Sequence, residues 1–486
     1  MKHIYQILLA SLFIVTFYSC DDFLDVKPQD EVVPTTYEDF ALLLNNPSLK
    51  LQYVLGYTSL FTDDVEKVDD PTFPVAAGFN ETPEYAINMY NFKSGDIFPE
   101  GEDENDPFFQ NTYSHIFTYN AVANNIIDAI DGSDEEKLIT RAEALFGRAY
   151  SYFKLVTLYG KAYDAATAST DYGVPIILTE DINATYVRNS VEEVYNHIIK
   201  DLQEAVPLLE VNATNQYHTN RISGYLLLSK VYLFKGDYIN ALKYAEIALD
   251  NKSIFELQDL KKYTTVNKGY RQRIVDITTG QPMEAVEDIL ENISIYVSGN
   301  DLSNASLASQ DLMDTYAINL PSGSVDMREH LYFAKNSVNI GTGINFLFPG
   351  YSLYVAYTQR NPGMLLSDLY LILAETEARI GSKDKALEYL DHLRDYRITD
   401  NVPLSATTNK EALNIVLDER RREFSFLSDF RFQDLKRLNT EPDFAKDLVH
   451  NFAGVTYNMP ANDPRYILPL SRDVVKFNPD IPQYER

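Results

Sequence analysis

The sequence predicts a mainly α protein in which paired helices carry a large irregular part of loops and minor strands. Three observations predict it. Three long segments repeat their apolar residues at helical spacing; two distant segments resemble each other as Gly-centred helix hairpins; and between Ser253 and Pro362 the chain is rich in Gly, Ser and Asn, with only short β-rich runs such as ISIYVSG.

Residues 1–19, MKHIYQILLASLFIVTFYS, put Lys2 and His3 ahead of an apolar run from Ile7 to Val15, with Ser19 directly before Cys20. That order is a secretory signal peptide. The run is shorter than the roughly 20 apolar residues of a membrane-spanning helix. Cys20 is the chain's one cysteine, and it stands where bacterial lipoproteins are cleaved and acylated. It is the expected lipidation site, with palmitate-type chains; anchoring by about two such chains is firm where one is marginal. No thiol remains for a disulfide or zinc knuckle. Residues 20–35, CDDFLDVKPQDEVVPT, are polar with two prolines and read as a tether, and 36–486 as a single domain.

The helical segments are FFQNTYSHIFTYNAVANNIIDAI from Phe108, EEKLITRAEALFGRAYSYFKLVTLYG from Glu135, and VEEVYNHIIKDLQEAVPLL from Val191. In the second, Ala142, Leu145, Ala149, Tyr152, Phe153 and Val156 recur at steps of three and four, which predicts one buried face. Ser190 caps the third, with Glu192 and Glu193 in its first turn. The two hairpins begin at Tyr225 and Leu369. Each has a helix, a Gly (Gly236, Gly381), and five residues later an Ala-Leu-charged-Tyr run, Ala241 to Tyr244 and Ala386 to Tyr389. This is the tetratricopeptide pattern, although the copies lie about 145 residues apart and form no tandem array. The insertion of loops over about 253–362, with the irregular stretch from Gln52 to Glu104, is the expected place for a ligand site.

The formal charge is −29, from 42 basic and 71 acidic residues, with 45% hydrophobic residues and a mean hydropathy of −0.25. Such a surface repels nucleic acid and anionic headgroups, so no nucleic-acid partner is expected. There are 35 Tyr and 26 Phe but no Trp. No pair of histidines has metal-ligand spacing, and HExxH, GxSxG and GxxxxGK are absent. No cofactor is expected except, at most, calcium on DIFPEGEDEND, Asp96 to Asp106, which lacks the Gly and closing Glu of an EF-hand loop. The one dense basic run, ERRREF from Glu419 to Phe424, reads as helical with internal pairs Glu419–Arg422 and Arg420–Glu423.

Several segments occur together in order: CDDFLDVKP, RAEALFGRAYSYFKLVTLYG followed by YGVPIIL, SVEEVYNHIIKDLQEAVPLL, both hairpins, ERRREFSFLSDFRFQDLKRL, and YILPLSRDVVKFNPDIPQ. The ordered set resembles the SusD/RagB family of Bacteroidetes outer-membrane lipoproteins over essentially all of the chain after residue 19. The resemblance implies four tetratricopeptide-like helix pairs with a loop-rich, ligand-facing half. It implies capture of an oligomeric nutrient, glycan or peptide, outside the cell, as a lid on a SusC-like TonB-dependent transporter. Asp21 and Asp22 resemble that phylum's surface-export signal, so the expected location is the outer membrane, facing outward.

Two departures matter. Where the family commonly reads F-E-G-H/N-R, this chain reads Phe426-Leu427-Ser428-Asp429-Phe430-Arg431, which is expected to alter a tight turn. Glycan-binding members often stack sugars on Trp, and here Tyr or Phe must serve. A sugar's C–H face lies on an aromatic ring while polar groups hold its hydroxyls. Tyr85, Tyr90 and Phe92, with Asn88 and Asn91, fit that recipe in the first irregular region; Tyr296 and Tyr316, with Asn300, fit it in the second. The competing classes are a surface glycosidase, which needs two positioned carboxylates, and a purely structural scaffold.

Overall fold

The computed structural model describes residues 34–49, 56–67, 84–98, 106–180, 186–212, 218–252, 255–268, 271–281, 283, 289–291, 306–339, 345–353, 362–470 and 472–486. The segment expected to be a signal peptide, Cys20, and the expected tether as far as residue 33 lie outside them. The helices are α1 (Tyr37–Leu44), α2 (Glu84–Tyr90), α3 (Pro107–Asn125), α4 (Asp134–Tyr159), α5 (Val191–Ala205), α6 (Arg221–Phe234), α7 (Tyr238–Asp250), α8 (Gln310–Thr315), α9 (Met327–Tyr332), α10 (Leu366–Ile380), α11 (Lys383–Arg394), α12 (Asn409–Glu423), α13 (Phe430–Leu438) and α14 (Arg472–Phe477). The mainly α expectation stands.

Local chemistry starts these helices where the sequence places the signals. Thr36, Ser133 and Ser190 each accept from the main chain three residues on, and Asp39, Glu136 and Glu193 reach back to complete capping boxes. Each box satisfies two donors that a helix N-terminus leaves open. The helix pairs then stack: α3 on α4, α4 on α5, α6 on α7, α7 on α10, α10 on α11, with α12 against both α10 and α11.

Helix α4 departs from the single buried face expected of it. Ala142, Leu145, Ala149, Tyr152, Phe153 and Val156 are buried as expected, but so is every residue from Ala149 to Tyr159. The C-terminal half is enclosed on all sides, which periodicity misses because Tyr, Ser, Lys and Thr are buried there with partners. Lys436 supplies one solution: its ammonium donates to the carbonyls of Thr157, Leu158 and Gly160, closing the C-terminus of α4.

The two hairpin glycines do different work. Gly236, at φ +75°, ends α6 with Asp237 N–H donating to Tyr232 O at 2.9 Å and Gly236 N–H to Leu233 O at 3.0 Å, a Schellman turn. Gly381 has φ −116° and is not left-handed. There a Cβ would collide with the Glu377 carboxylate, which accepts from Ser382 N–H at 2.9 Å.

The strands are β1 (Val65–Lys67), β2 (Tyr263–Lys268), β3 (Arg271–Asp276), β4 (Ile289–Glu291), β5 (Ser306–Ala308), β6 (Phe333–Asn339), β7 (Asn345–Leu353), β8 (Met364–Leu365), β9 (Leu448–Phe452) and β10 (Val455–Met459). One four-stranded sheet has the order β1-β5-β7-β6, and β9 with β10, β2 with β3, and β4 with β8 form pairs. The antiparallel register Val65↔Ala308, Glu66↔Leu307, Lys67↔Ser306 joins the first irregular region to the insertion.

The basic run ERRREF is buried, not solvated, and its neighbours fan out. Glu419 binds Arg422 at 2.7 Å, as expected, but also Arg394 at 2.8 Å and Arg328. The expected Arg420–Glu423 pair is replaced: Arg420 binds Asp368 at 2.6 Å and Asp434 at 2.8 Å, and Glu423 binds Arg397 at 2.8 Å and Arg328 at 2.9 Å. Arg421 points a third way, to Asp64 at 2.8 Å and Asp311 at 2.9 Å. Packing around α12 brings Arg420, Arg421 and Glu423 tertiary partners, while Glu419 keeps its helical neighbour Arg422 and adds Arg394 and Arg328.

The turn after α12, where the family's Glu-Gly is absent, has left-handed backbone at two non-Gly residues: φ is +54° at Phe426 and +52° at Ser428. It is held by Ser428 Oγ donating to Asp429 at 3.0 Å and by Asp429 pairing with Lys154 on α4.

Removing a member of the buried network leaves charges unpaired, which costs about 3–5 kcal/mol. Glu419→Gln is expected to lower the unfolding free energy by that amount in urea titrations. Acid should act on the same groups. Burial opposes the charge of Glu375 and Glu423, yet Arg437 with Arg379, and Arg397 with Arg328, hold both pKa values down, from 4.5 to about 2. A depressed folded pKa contributes stability that is present above the unfolded value and lost as pH falls. Melting temperature should therefore drop steeply from pH 4.5 toward 2, and less steeply in Glu423→Gln.

Candidate functional site

The β1–β5 seam is where the two regions expected to hold ligand meet, and the groups around it follow from three local features. Along β1 the side chains alternate buried, exposed, buried, which turns Val65 and Lys67 inward and Glu66 out. The turn before β1 presents Asp63 and Asp64, held by Arg431 at 2.8 Å, Lys446 at 2.7 Å and Arg421. Against this turn the β9–β10 hairpin lays His450, buried, with Phe452 half-buried beside it.

His450 is the centre of an aromatic stack. Its ring lies 4.2 Å from Tyr90 and 4.3 Å from Phe92, one on each face. Nδ1 is 2.7 Å from the Tyr90 carbonyl and Nε2 is 2.9 Å from the Thr62 carbonyl. Burial lowers its pKa, against the pull of those two carbonyls and of Asp63. The stack ties α2, the turn at Thr62 and the hairpin together.

The five rings and amides expected to meet ligand distribute unevenly. Tyr85 lies on α2, half-buried, its ring 5.9 Å from Phe98. Tyr90 is 1% exposed; its hydroxyl accepts from Lys67 N–H at 3.0 Å. Phe92 is 2% exposed with φ +50°. Tyr316 is 1% exposed, and its hydroxyl donates to the Arg422 carbonyl at 3.0 Å. Tyr90, Phe92 and Tyr316 are therefore corrected from ligand-facing loop residues to interior ones. Tyr90 ends a helix, and the tertiary stack on His450 takes both it and Phe92 out of reach of solvent. Asn88 is likewise engaged, donating to Ile97 O at 2.7 Å. Tyr296, Asn300 and Cys20 lie outside the described residues.

The acidic run expected at most to hold calcium is used at its two described ends. Asp96 pairs with Arg472, and Asp106 caps α3 and accepts from the Tyr159 hydroxyl. Residues 99–105 lie outside the described residues. Among the described residues no three His, Cys, Asp or Glu side chains converge as metal ligands.

Sequence reasoning missed Lys67, His450 and Phe452. A strand sets Lys67 on the face of Val65, but a charged residue carries no sequence sign of turning inward; nothing local marks His450 either, whose partners lie some 360 residues earlier.

Interior and half-buried rings should separate in a stability experiment. Tyr90→Ala and Tyr316→Ala are each expected to cost about 3–5 kcal/mol, the range for deleting a large buried ring. Tyr85→Ala should cost clearly less, with urea unfolding followed by circular dichroism as the measurement.

Comparison with known proteins places this geometry in a family. Residues 22–233 match a SusD-like family model described as starch-binding associating with outer membrane, and residues 355–485 match the model of the SusD family. SusD-like protein P2 from Formosa agariphila is 26% identical over 385 residues, covering 70% of this chain and 73% of that protein. Two solved structures share the fold. A candidate sugar binding protein from Bacteroides vulgatus superposes with a TM-score of 0.69 at 21% identity, covering 93% of this chain and 99% of that one. A SusD superfamily protein from Bacteroides thetaiotaomicron gives 0.67 at 18% identity, covering 93% and 100%. With models of one family matched at both ends and that family's fold over the length between, the chain belongs to the SusD family.

Proposed function

We propose that this chain captures an oligosaccharide at the cell surface and delivers it to a SusC-like TonB-dependent transporter, acting by binding and not by catalysis. The observation that carries the reading is the match of residues 22–233 to the family described as starch-binding and outer-membrane-associating. The sugar-binding description of a structural neighbour supports the ligand class.

Attachment to the outer membrane is assigned to acyl chains on Cys20, with the folded body facing outward. In support, no helix among the described residues is long and apolar enough to cross a membrane. The carboxylates beside the β1–β5 seam, Asp63 and Asp64, are bound by Arg421 and Arg431, which favours structural ion pairs over an acid pair poised for glycoside hydrolysis. Tyr85, and Tyr296 beyond the described residues, stay proposed as ligand contacts. The formal charge of −29 gives a second reading some support, because it steers cationic peptides toward the surface.

The test is calorimetric titration of the chain from Asp21 onward against polysaccharides, their oligosaccharides and cationic peptides, with products followed by chromatography. Saturable binding of a saccharide without new products is expected. Cleavage would replace the capture reading with an enzyme, and binding confined to peptides would change the ligand. In cells, Cys20→Ala should move the protein out of the membrane fraction.

A further inference from the structure

Four lysines are buried among the described residues: Lys67, Lys154, Lys230 and Lys436. Three have the acceptors that a desolvated ammonium requires. Lys154 pairs with Asp429, Lys230 pairs with Asp368 at 2.9 Å, and Lys436 is ringed by three carbonyls. Lys67 is 4% exposed, and among the described residues burial alone acts on its charge, with no carboxylate paired to it. It has aromatic rings instead, with Nζ 5.8 Å from the Tyr90 centroid and 5.4 Å from that of Phe452. Ring faces attract a cation, but they carry no net charge to neutralise it.

The place of this ammonium matters as much as its solitude. Lys67 ends β1 opposite Ser306 of β5, on the seam between the two irregular regions. Its N–H donates to the Tyr90 hydroxyl, which in turn lies 3.5 Å from the Asn451 carbonyl on the hairpin. Half-buried Phe452 and exposed Asn451 stand at that edge, a ring face and an amide of the kind a sugar uses. The neighbouring charges are committed elsewhere. Asp63 and Asp64 face Arg421, Arg431 and Lys446; Glu66 points outward; and His450 is enclosed by the Tyr90 and Thr62 carbonyls.

We propose that Lys67 sets the charge preference of the saccharide site: its ammonium, flanked by the Tyr90 and Phe452 rings, takes the carboxylate or sulfate of an acidic polysaccharide. The inference rests on the capture reading above and names its substrate class. The four-carbon stem lets the ammonium move to the rim while its methylenes stay packed. Burial also lowers the Lys67 pKa from 10.5 to about 8, so the positive charge is present at neutral pH and lost in mild alkali.

Affinity is measured for polygalacturonate, a sulfated galactan and a neutral β-1,4-galactan. The chain's net negative charge repels polyanions at range, so the buffer carries about 0.15 M salt, where the screening length is about 8 Å. Tighter binding of one acidic polymer is expected, and which one identifies carboxylate or sulfate. Lys67→Met should weaken that binding roughly tenfold or more, the scale of a lost charge-assisted hydrogen bond. Wild-type affinity should also fall as pH rises through about 8, whereas Lys67→Arg should hold its affinity there because a guanidinium stays charged. A merely structural lysine would give no such difference between Lys and Arg, and that result would overturn the proposal. Equal binding of neutral and acidic polymers would overturn it too while leaving saccharide capture intact; no binding of any saccharide would remove both.

Discussion

The structure depends on the charges of α12. A helix turns its side chains by about 100° per residue, so Arg420, Arg421 and Arg422 leave it in three directions, and each joins a different set of ion pairs. Arg420 reaches Asp368 on α10 and Asp434 on α13. Arg421 reaches Asp64 before β1 and Asp311 on α8. Arg422 shares Glu419 with Arg394 of α11 and Arg328 of α9. Buried ions are costly to desolvate, and their gain over apolar packing is small or negative. Their geometry is exacting, however, and each bridge here joins named groups of two elements at hydrogen-bonding distance.

That arrangement positions the candidate site. Arg421 fixes the turn at Asp64, which starts β1; Asp311, its other partner, lies just after β5. One guanidinium therefore brings the two irregular regions into the register Lys67↔Ser306. The His450 stack adds the hairpin and α2 from the far side. The helical half thus acts as a frame. Its ion pairs, extending through Arg437, Glu375 and Arg379, reach from the hairpins to the loops without any metal or disulfide among the described residues. A single cysteine leaves no pair for an intrachain disulfide, and guanidinium–carboxylate bridges tie these parts together instead.

The departures from the family's usual residues read differently once packing is known. Ser428 stands where the family commonly has Gly and adopts left-handed backbone; its hydroxyl bonds Asp429, which receives Lys154 from α4. Side-chain bonds hold this left-handed turn although Ser428 carries a Cβ. The absence of Trp does not leave the seam without aromatics. Several of the rings there are structural, however, and the half-buried Phe452 and Tyr85 are the ones with a surface to offer.

What the sequence determined by itself was what depends on neighbours along the chain. Capping boxes, helical apolar spacing and the Gly236 turn all act within a few residues, so the helical half and its hairpins were legible. The ordered set of segments made the family legible as well. Tertiary structure decided the rest. Contacts from distant parts of the chain, of Tyr90 and Phe92 with His450 and of Tyr316 with Arg422, made them interior although their local setting of Tyr and Asn looked ligand-facing. The partners of Arg420 and Glu423 were likewise chosen across the fold and not along the helix. A ring or a charge carries no local mark of whether it will meet solvent, ligand or core; only the surfaces that pack against it settle which, and these come from distant parts of the chain.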